Sequence, residues 1–259
     1  MTVGSTAAPV IQRRVPFEGA ANFRDLGGYA AGAGQQVAWR RIYRSDSLSE
    51  LTDSDHEMWQ TLGIRLVCDL RLPSERRNAP DRLPQPSDVV EHHIGFLPEG
   101  ANEMLRAVRA GEVNSAEIVA EVIRHYYRIP LDHLAEYREI FALLDAPQNH
   151  PLVIHCTSGK DRTGFAAMLI LLVLGVSEEL ALEDYLLTNS YRRDVSHIFK
   201  LPAGTDELHT LTSARPEYFH AALDAMQREY GSILGYLHNG LGLDDDRLRN
   251  LRSVFLESA

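Results

Sequence analysis

The run Pro151-Leu152-Val153-Ile154 leads into His155 and Cys156 and reads as a short buried strand. Ile64-Arg65-Leu66-Val67-Cys68-Asp69-Leu70, just after Gly63, predicts a second buried strand ending at Asp69 to Arg71. Val89 to Ile94 reads as a third. Leu51-Thr52-Asp53-Ser54-Asp55 offers capping side chains for a helix that Gly63 stops. The turn-rich stretch from Asn22 to Tyr29 and the Gly32-Ala33-Gly34 break before Val37 to Tyr43 predict a hairpin. Ser115 to Leu144 has helical spacing with an expected interruption at Pro130, and Pro147 closes that region.

Beyond Cys156 the apolar spacing predicts helices over about 163–175, 178–193, 216–230 and 244–257, with Pro216 and Gly231 as start and stop signals. Strands alternating with helices predict an α/β sandwich with a largely parallel central sheet flanked by helices. Gly164 to Val176 is the most apolar stretch, yet shorter than the roughly 20 residues of a membrane span, so it reads as a buried helix and no integral membrane association is expected.

A chain of 259 residues with 44% hydrophobic content can bury one large core. The expected organisation is a flexible arm over residues 1–16 and a single domain over 17–259. The 36 acidic side chains against 26 basic ones, a net charge of -10, oppose general attraction to nucleic acid or anionic membrane. An anionic substrate must then be drawn by a local field. The two cysteines, Cys68 and Cys156, cannot frame a disulfide scaffold and suit a reducing compartment. With no apolar signal core in MTVGSTAAPVIQRR, the expected location is cytoplasmic, with secretion by a signal-independent route left open.

The chemistry concentrates in His155-Cys156-Thr157-Ser158-Gly159-Lys160-Asp161-Arg162-Thr163-Gly164, where five residues separate a thiol from a guanidinium. A loop of that length can curl so that the N–H groups of Thr157, Ser158, Gly159 and Lys160 point inward, an anion nest at the positive end of the next helix. Arg162 closes the ring with a fork for two phosphate oxygens. The same field favours thiolate over thiol, so the loop binds the anion and activates Cys156. In-line attack on phosphorus would give a phosphocysteine that water hydrolyses, with no metal and no cofactor. Thr163 is expected to hydrogen-bond the sulfur, and His155 to brace the loop. As a core filler Cys156 would need no such neighbours. A nucleotide-binding loop is excluded because Ile154 stands where its first glycine belongs and Asp161 where a Ser or Thr would hold magnesium. A sulfurtransferase and a silent phosphate-binding module are the competing readings; the first needs no Arg-Thr-Gly helix entry, and the second would have lost Cys156 or Arg162.

Together with Asn22-Phe23-Arg24-Asp25-Leu26-Gly27-Gly28, this loop resembles the bacterial and fungal atypical tyrosine-specific protein phosphatases. The resemblance extends to Tyr43-Arg44-Ser45, Asp69-Leu70-Arg71 and Asp184-Tyr185-Leu186-Leu187-Thr188-Asn189. It implies a phosphatase sandwich acting on phosphotyrosine, with phosphoserine, phosphothreonine and phosphoinositides within the family's range. It also implies extra helices covering the site, placed here over about 194–230 with Gly204 and Gly231 as hinges.

The leaving group needs a proton, and two aspartates are candidates. Asp161 lies in the loop itself, and Asp69 ends a parallel strand at the same sheet edge as Cys156. Covalent proximity favours Asp161; Asp69 could instead hold Arg71, and Asp161 could pair with Lys160. Lys160 is either a solvated lysine or a contact for a second phosphate. Arg24, Asp25, Arg44 and Arg71 read as structural ties, Cys68 as buried filler, and Tyr126, Tyr127 and Tyr185 as core or boundary residues. His92-His93 lacks partners for a metal site.

Overall fold

A computed structural model describes residues 12–85, 88–191, 194 and 196–259. Three short strands come first: β1 (Arg24–Asp25), β2 (Gln35–Val37) and β3 (Ile42–Ser45). Helix α1 (Asp53–Leu62) is set by Thr52, which accepts the Asp55 N–H while the Asp55 carboxylate accepts the Thr52 N–H, and it stops at Gly63 with φ 64°. Strand β4 (Leu66–Asp69), helix α2 (Pro73–Asn78), strand β5 (Val90–His93) and helices α3 (Ala101–Ala110), α4 (Ser115–Asp132) and α5 (Leu134–Leu144) follow. Strand β6 (Leu152–His155) then feeds α6 (Arg162–Val173), α7 (Glu178–Leu186), α8 (Thr188–Tyr191), α9 (Ser196–Phe199), α10 (Asp206–Thr212) and α11 (Pro216–Tyr230). The chain closes with α12 (Ile233–Gly235), α13 (Asp245–Phe255) and β7 (Leu256–Ser258).

The main sheet has the order β1-β3-β6-β4-β5, parallel except for the antiparallel β1. Strand β6 is central, and its register sets Ser45 and Asp69 on either side of His155. Alternation along these strands builds two cores. Ile42, Leu66, Cys68, Leu152, Ile154 and Cys156 join the larger, helix-covered one. Tyr43, Val67 and Val153 join a smaller one with Phe17, Phe23 and Trp59. Helix α6 is buried almost all round, as its unbroken apolar sequence requires.

Several expectations are corrected. Residues 1–11 of the expected arm lie outside the described residues. Within its remainder, however, the Val15 N–H donates to Phe23 O at 3.1 Å and Arg14 bridges Arg24, so that stretch is part of the fold. Pro130 does not interrupt the helix: α4 runs on to Asp132, because one missing N–H costs less than exposing the apolar face that holds Val122, Tyr126 and Ile129. The run from Val37 to Tyr43 that follows the expected hairpin break is divided between β2 and β3, and β2 finds its ladder partner in β7, at the far end of the chain. That pairing also ends the last helix at Phe255 rather than 257. Helix α3 had no counterpart in the pattern reading. Of the expected cover, α11 is core, with Tyr218, Phe219, Ala222 and Met226 fully buried; α10 packs against α4 as well.

Candidate active site

Cys156 follows the last residue of β6, and the loop after it runs into α6 at Arg162. Carbonyls along this loop are tied to the scaffold. Thr157 O accepts the Ser47 N–H at 3.1 Å, and Asn22 Nδ2 donates to Ser158 O at 3.2 Å and Gly159 O at 3.3 Å. Arg44 Nη2 donates to Gly159 O at 2.6 Å. A peptide whose carbonyl is held outward presents its N–H on the other side, and among the described residues no protein acceptor takes the N–H of Ser158, Gly159, Lys160 or Asp161. Gly159 has φ 66°, and a Cβ there would lie 2.6 Å from Ser45 O, so only glycine lets the loop seat against the end of β3.

Arg162 is buried and its fork is engaged by a residue that the motif does not contain. Glu75, in the first turn of α2, accepts from Arg162 Nη1 and Nη2, each at 2.8 Å. Nη1 also reaches Leu70 O at 2.9 Å and Phe96 O at 3.1 Å, while Nη2 reaches Thr157 Oγ1 at 3.4 Å. The Thr157 hydroxyl donates to the same carboxylate. Burial alone would raise the Glu75 pKa, but Arg162, Thr157 and the Leu72 N–H hold it below the ordinary value. Burial would likewise lower that of Arg162, and Glu75 and the Cys156 sulfur push it up instead.

Beside the loop opens a cavity of about 300 Å³. Ser158, Lys160, Asp161 and Arg162 form its polar end, and Leu97, Met104, Leu105, Val122, Ile129 and Phe199 much of its apolar wall. The Asp161 side chain is 35% exposed. Lys160 is not solvated: it is 2% exposed, its Nζ donates to Leu211 O and lies 3.3 Å from Asp161 Oδ1. Tyr126 is fully buried and its hydroxyl meets that of Tyr185 at 2.8 Å, as a core residue would, yet its side chain also lines the cavity.

Asp69 is elsewhere. It stands level with His155, one residue before Cys156, so alternation turns both to the opposite face of the sheet. Its carboxylate takes Arg71 Nε at 2.9 Å, Arg71 Nη2 at 2.8 Å and the Arg71 N–H at 2.9 Å. Arg71 also pairs with Asp81 at 2.8 Å, and His155 Nε2 lies 3.2 Å from Asp81 and 3.7 Å from Asp69. Burial would depress the His155 pKa, but the two carboxylates outweigh it and raise it. Asp69, Asp81 and His155 are spaced as metal ligands could be, yet the Arg71 guanidinium already pairs with both carboxylates.

Arg24 and Arg44 are structural, as expected, but their partner is distant. Asp184 of α7 takes Arg24 Nε at 2.9 Å and Arg44 Nη1 at 2.6 Å, all three side chains being buried. Burial alone would raise the Asp184 pKa; the two guanidinium groups drive it far below the carboxylate range. Asp25 accepts the N–H groups of Gly27 at 2.8 Å and Arg40 at 2.7 Å, tying the glycine-rich turn. Thr163 Oγ1 is buried and among the described residues has no hydrogen-bond partner, so the expected bond to the sulfur is not made. Cys68 is core filler, its thiol pushed far up by burial and then by Asp69. His92 pairs with Glu139 at 2.6 Å.

Oxyanion capture beside a thiol at the carboxyl edge of a parallel-centred sheet is the chemistry and the scaffold of the cysteine-dependent phosphatases. The chain belongs to the tyrosine phosphatase family, whose pattern it matches over residues 15–257. It is 31% identical over 252 residues to a protein of Cupriavidus necator assigned to the tyrosine-protein phosphatases, covering 94% of this chain and 90% of that one. It is 29% identical to the triple specificity protein phosphatase PtpB of Mycobacterium tuberculosis, over 92% of this chain and 97% of its relative. The catalytic core of the yeast PP-IP phosphatase Siw14 superposes with a TM-score of 0.39 at 16% identity, covering 75% and 91% of the two chains, too loosely to argue from. No helix among the described residues is long and apolar enough to cross a membrane.

Proposed function

We propose that this phosphatase hydrolyses aryl phosphate monoesters, phosphotyrosine in proteins above all, through a phosphocysteine on Cys156. The observation that carries the reading is the loop in which scaffold groups hold the carbonyls of Thr157, Ser158 and Gly159, leaving an amide-lined concavity between Cys156 and Arg162. The thiolate attacks phosphorus, the ester oxygen leaves with a proton, and water then releases phosphate from sulfur. Asp161 is the proposed proton donor, because it borders the cavity where Asp69 is locked to Arg71 on the other face. His155 braces the loop from beneath, and α9 and α10 are the proposed cover.

The apolar wall of the cavity suits an aromatic ring, which favours phosphotyrosine over phosphoserine. With its ammonium already on Leu211 O, Lys160 is poorly placed to take a second phosphate, which weighs against phosphoinositides. The test is Cys156→Ser on phosphotyrosine peptides, phosphoserine peptides and phosphoinositides, with vanadate as a control. Turnover is expected to vanish in the variant and to be fastest on phosphotyrosine in the parent. Metal-free activity surviving in Cys156→Ser would refute the covalent route, and preference for a phosphoinositide would refute the substrate class.

A further inference from the structure

Lys160 is a lysine withdrawn from water next to the nucleophile, and the chemistry above leaves it without a task. Among the described residues the carboxylate within 4 Å of its Nζ is that of Asp161, at 3.3 Å. Its other polar contact is the carbonyl of Leu211, in the last turn of α10, and the face of the Tyr218 ring lies 5.6 Å away. A buried ammonium is costly unless its protons are met, so these contacts are conditions for one another. If α10 leaves the loop, the ammonium loses its carbonyl and must turn toward water, drawing Asp161 with it or releasing it.

We infer that Lys160 is a positioning residue that couples the docking of α10 to the placement of Asp161 over the cavity. The inference rests on Asp161 as the proton donor. Leu211 and Thr212 line the same cavity as Asp161, so the helix that narrows the site also completes it. Substrates that need help with the leaving group then depend on a docked α10, whereas those with a good leaving group do not.

The experiment compares the parent with K160M, K160R and D161N on para-nitrophenyl phosphate, whose leaving group needs little protonation, and phenyl phosphate, whose leaving group needs it. Vanadate inhibition and amide hydrogen exchange over residues 206–212 are measured alongside. K160M is expected to lose about tenfold more kcat on phenyl phosphate than on the nitrophenyl ester, within the range a general acid contributes, and to exchange faster over 206–212. K160R, which keeps a charge and donors, should recover part of both and serves if K160M does not fold. Equal losses on the two esters together with weakened vanadate would make Lys160 an anion contact and overturn the inference. If D161N shows the ester contrast and K160M does not, the inference falls while the acid assignment stands. If D161N lacks it, both fall.

Discussion

Glu75 holds both terminal nitrogens of Arg162, each at 2.8 Å, and so fixes the plane of the guanidinium that the proposed chemistry brings to the phosphate. The guanidinium Nε–H takes no part in that pair. An oxyanion can therefore approach along the Nε–Nη2 edge, where the contact it displaces is the 3.4 Å one to Thr157.

Replacing Glu75 with Ala is expected to lower kcat/KM on aryl phosphates by about ten- to a hundredfold and stability by about 2 kcal/mol, since a buried guanidinium loses its charged partner. Glu75→Gln, which keeps one acceptor, should fall between. Steady-state kinetics with vanadate binding and urea unfolding measure the two effects; a variant with parental kcat/KM would show that Arg162 needs no orientation by Glu75.

Asp184→Asn should destabilise more, by about 3–5 kcal/mol, because it leaves Arg24 and Arg44 buried without their shared counter-charge. The Asp184 pKa is depressed on folding, so its contribution is full above the ordinary 3.8 and is lost as the pH falls toward the lower folded value. Urea midpoints should therefore drop on acidification in the parent and flatten in the variant. Parallel curves would contradict the assignment.

His155 predicts the opposite limb. Its pKa is raised on folding, so the stability it lends is full below the ordinary 6.5 and disappears as the pH rises through the folded value. His155→Asn should remove the part of the parent's alkaline loss that belongs to this imidazole, leaving carboxylate-driven acid loss in place. Thermal midpoints recorded across neutral and alkaline pH decide this, and an unchanged alkaline slope would rule it out.

Gly159→Ala should abolish turnover while the rest of the domain stays folded. A side chain at φ 66° costs about 1–3 kcal/mol, and its Cβ would press on Ser45 O from 2.6 Å, so the peptide that carries the nest must shift. Loss of vanadate binding with a near-parental circular dichroism spectrum is the expected result. Retained vanadate affinity would mean that the loop tolerates the change.

Most of the elements near the site were legible because their signals are local. Thr52 and Asp55 start α1 and Gly63 stops it, each signal lying at the helix end it sets, and Pro216 and Gly231 bound α11. Pro130 misled for the complementary reason: the cost of proline is local, but the packing that outweighs it is not. The strand pattern carries Asp69 to the right edge of the sheet but, as a partner for Cys156, to the wrong side of it. Strand order says which residues reach an edge, whereas the one-residue offset between Asp69 and Cys156 in the register says which face they take.

The sequence by itself determined the candidate nucleophile, its loop and the arginine proposed to grip phosphate, because thiol, amides and guanidinium lie within one strand-loop-helix unit whose geometry follows from its own residues. Tertiary structure alone decided what holds that unit. Glu75 lies 87 residues from Arg162, Asp184 lies 160 from Arg24, and Leu211 lies 51 from Lys160. No spacing rule links residues so far apart. Only packing in the folded chain brings them within hydrogen-bond reach, and burial then makes each charge depend on the partner it finds there.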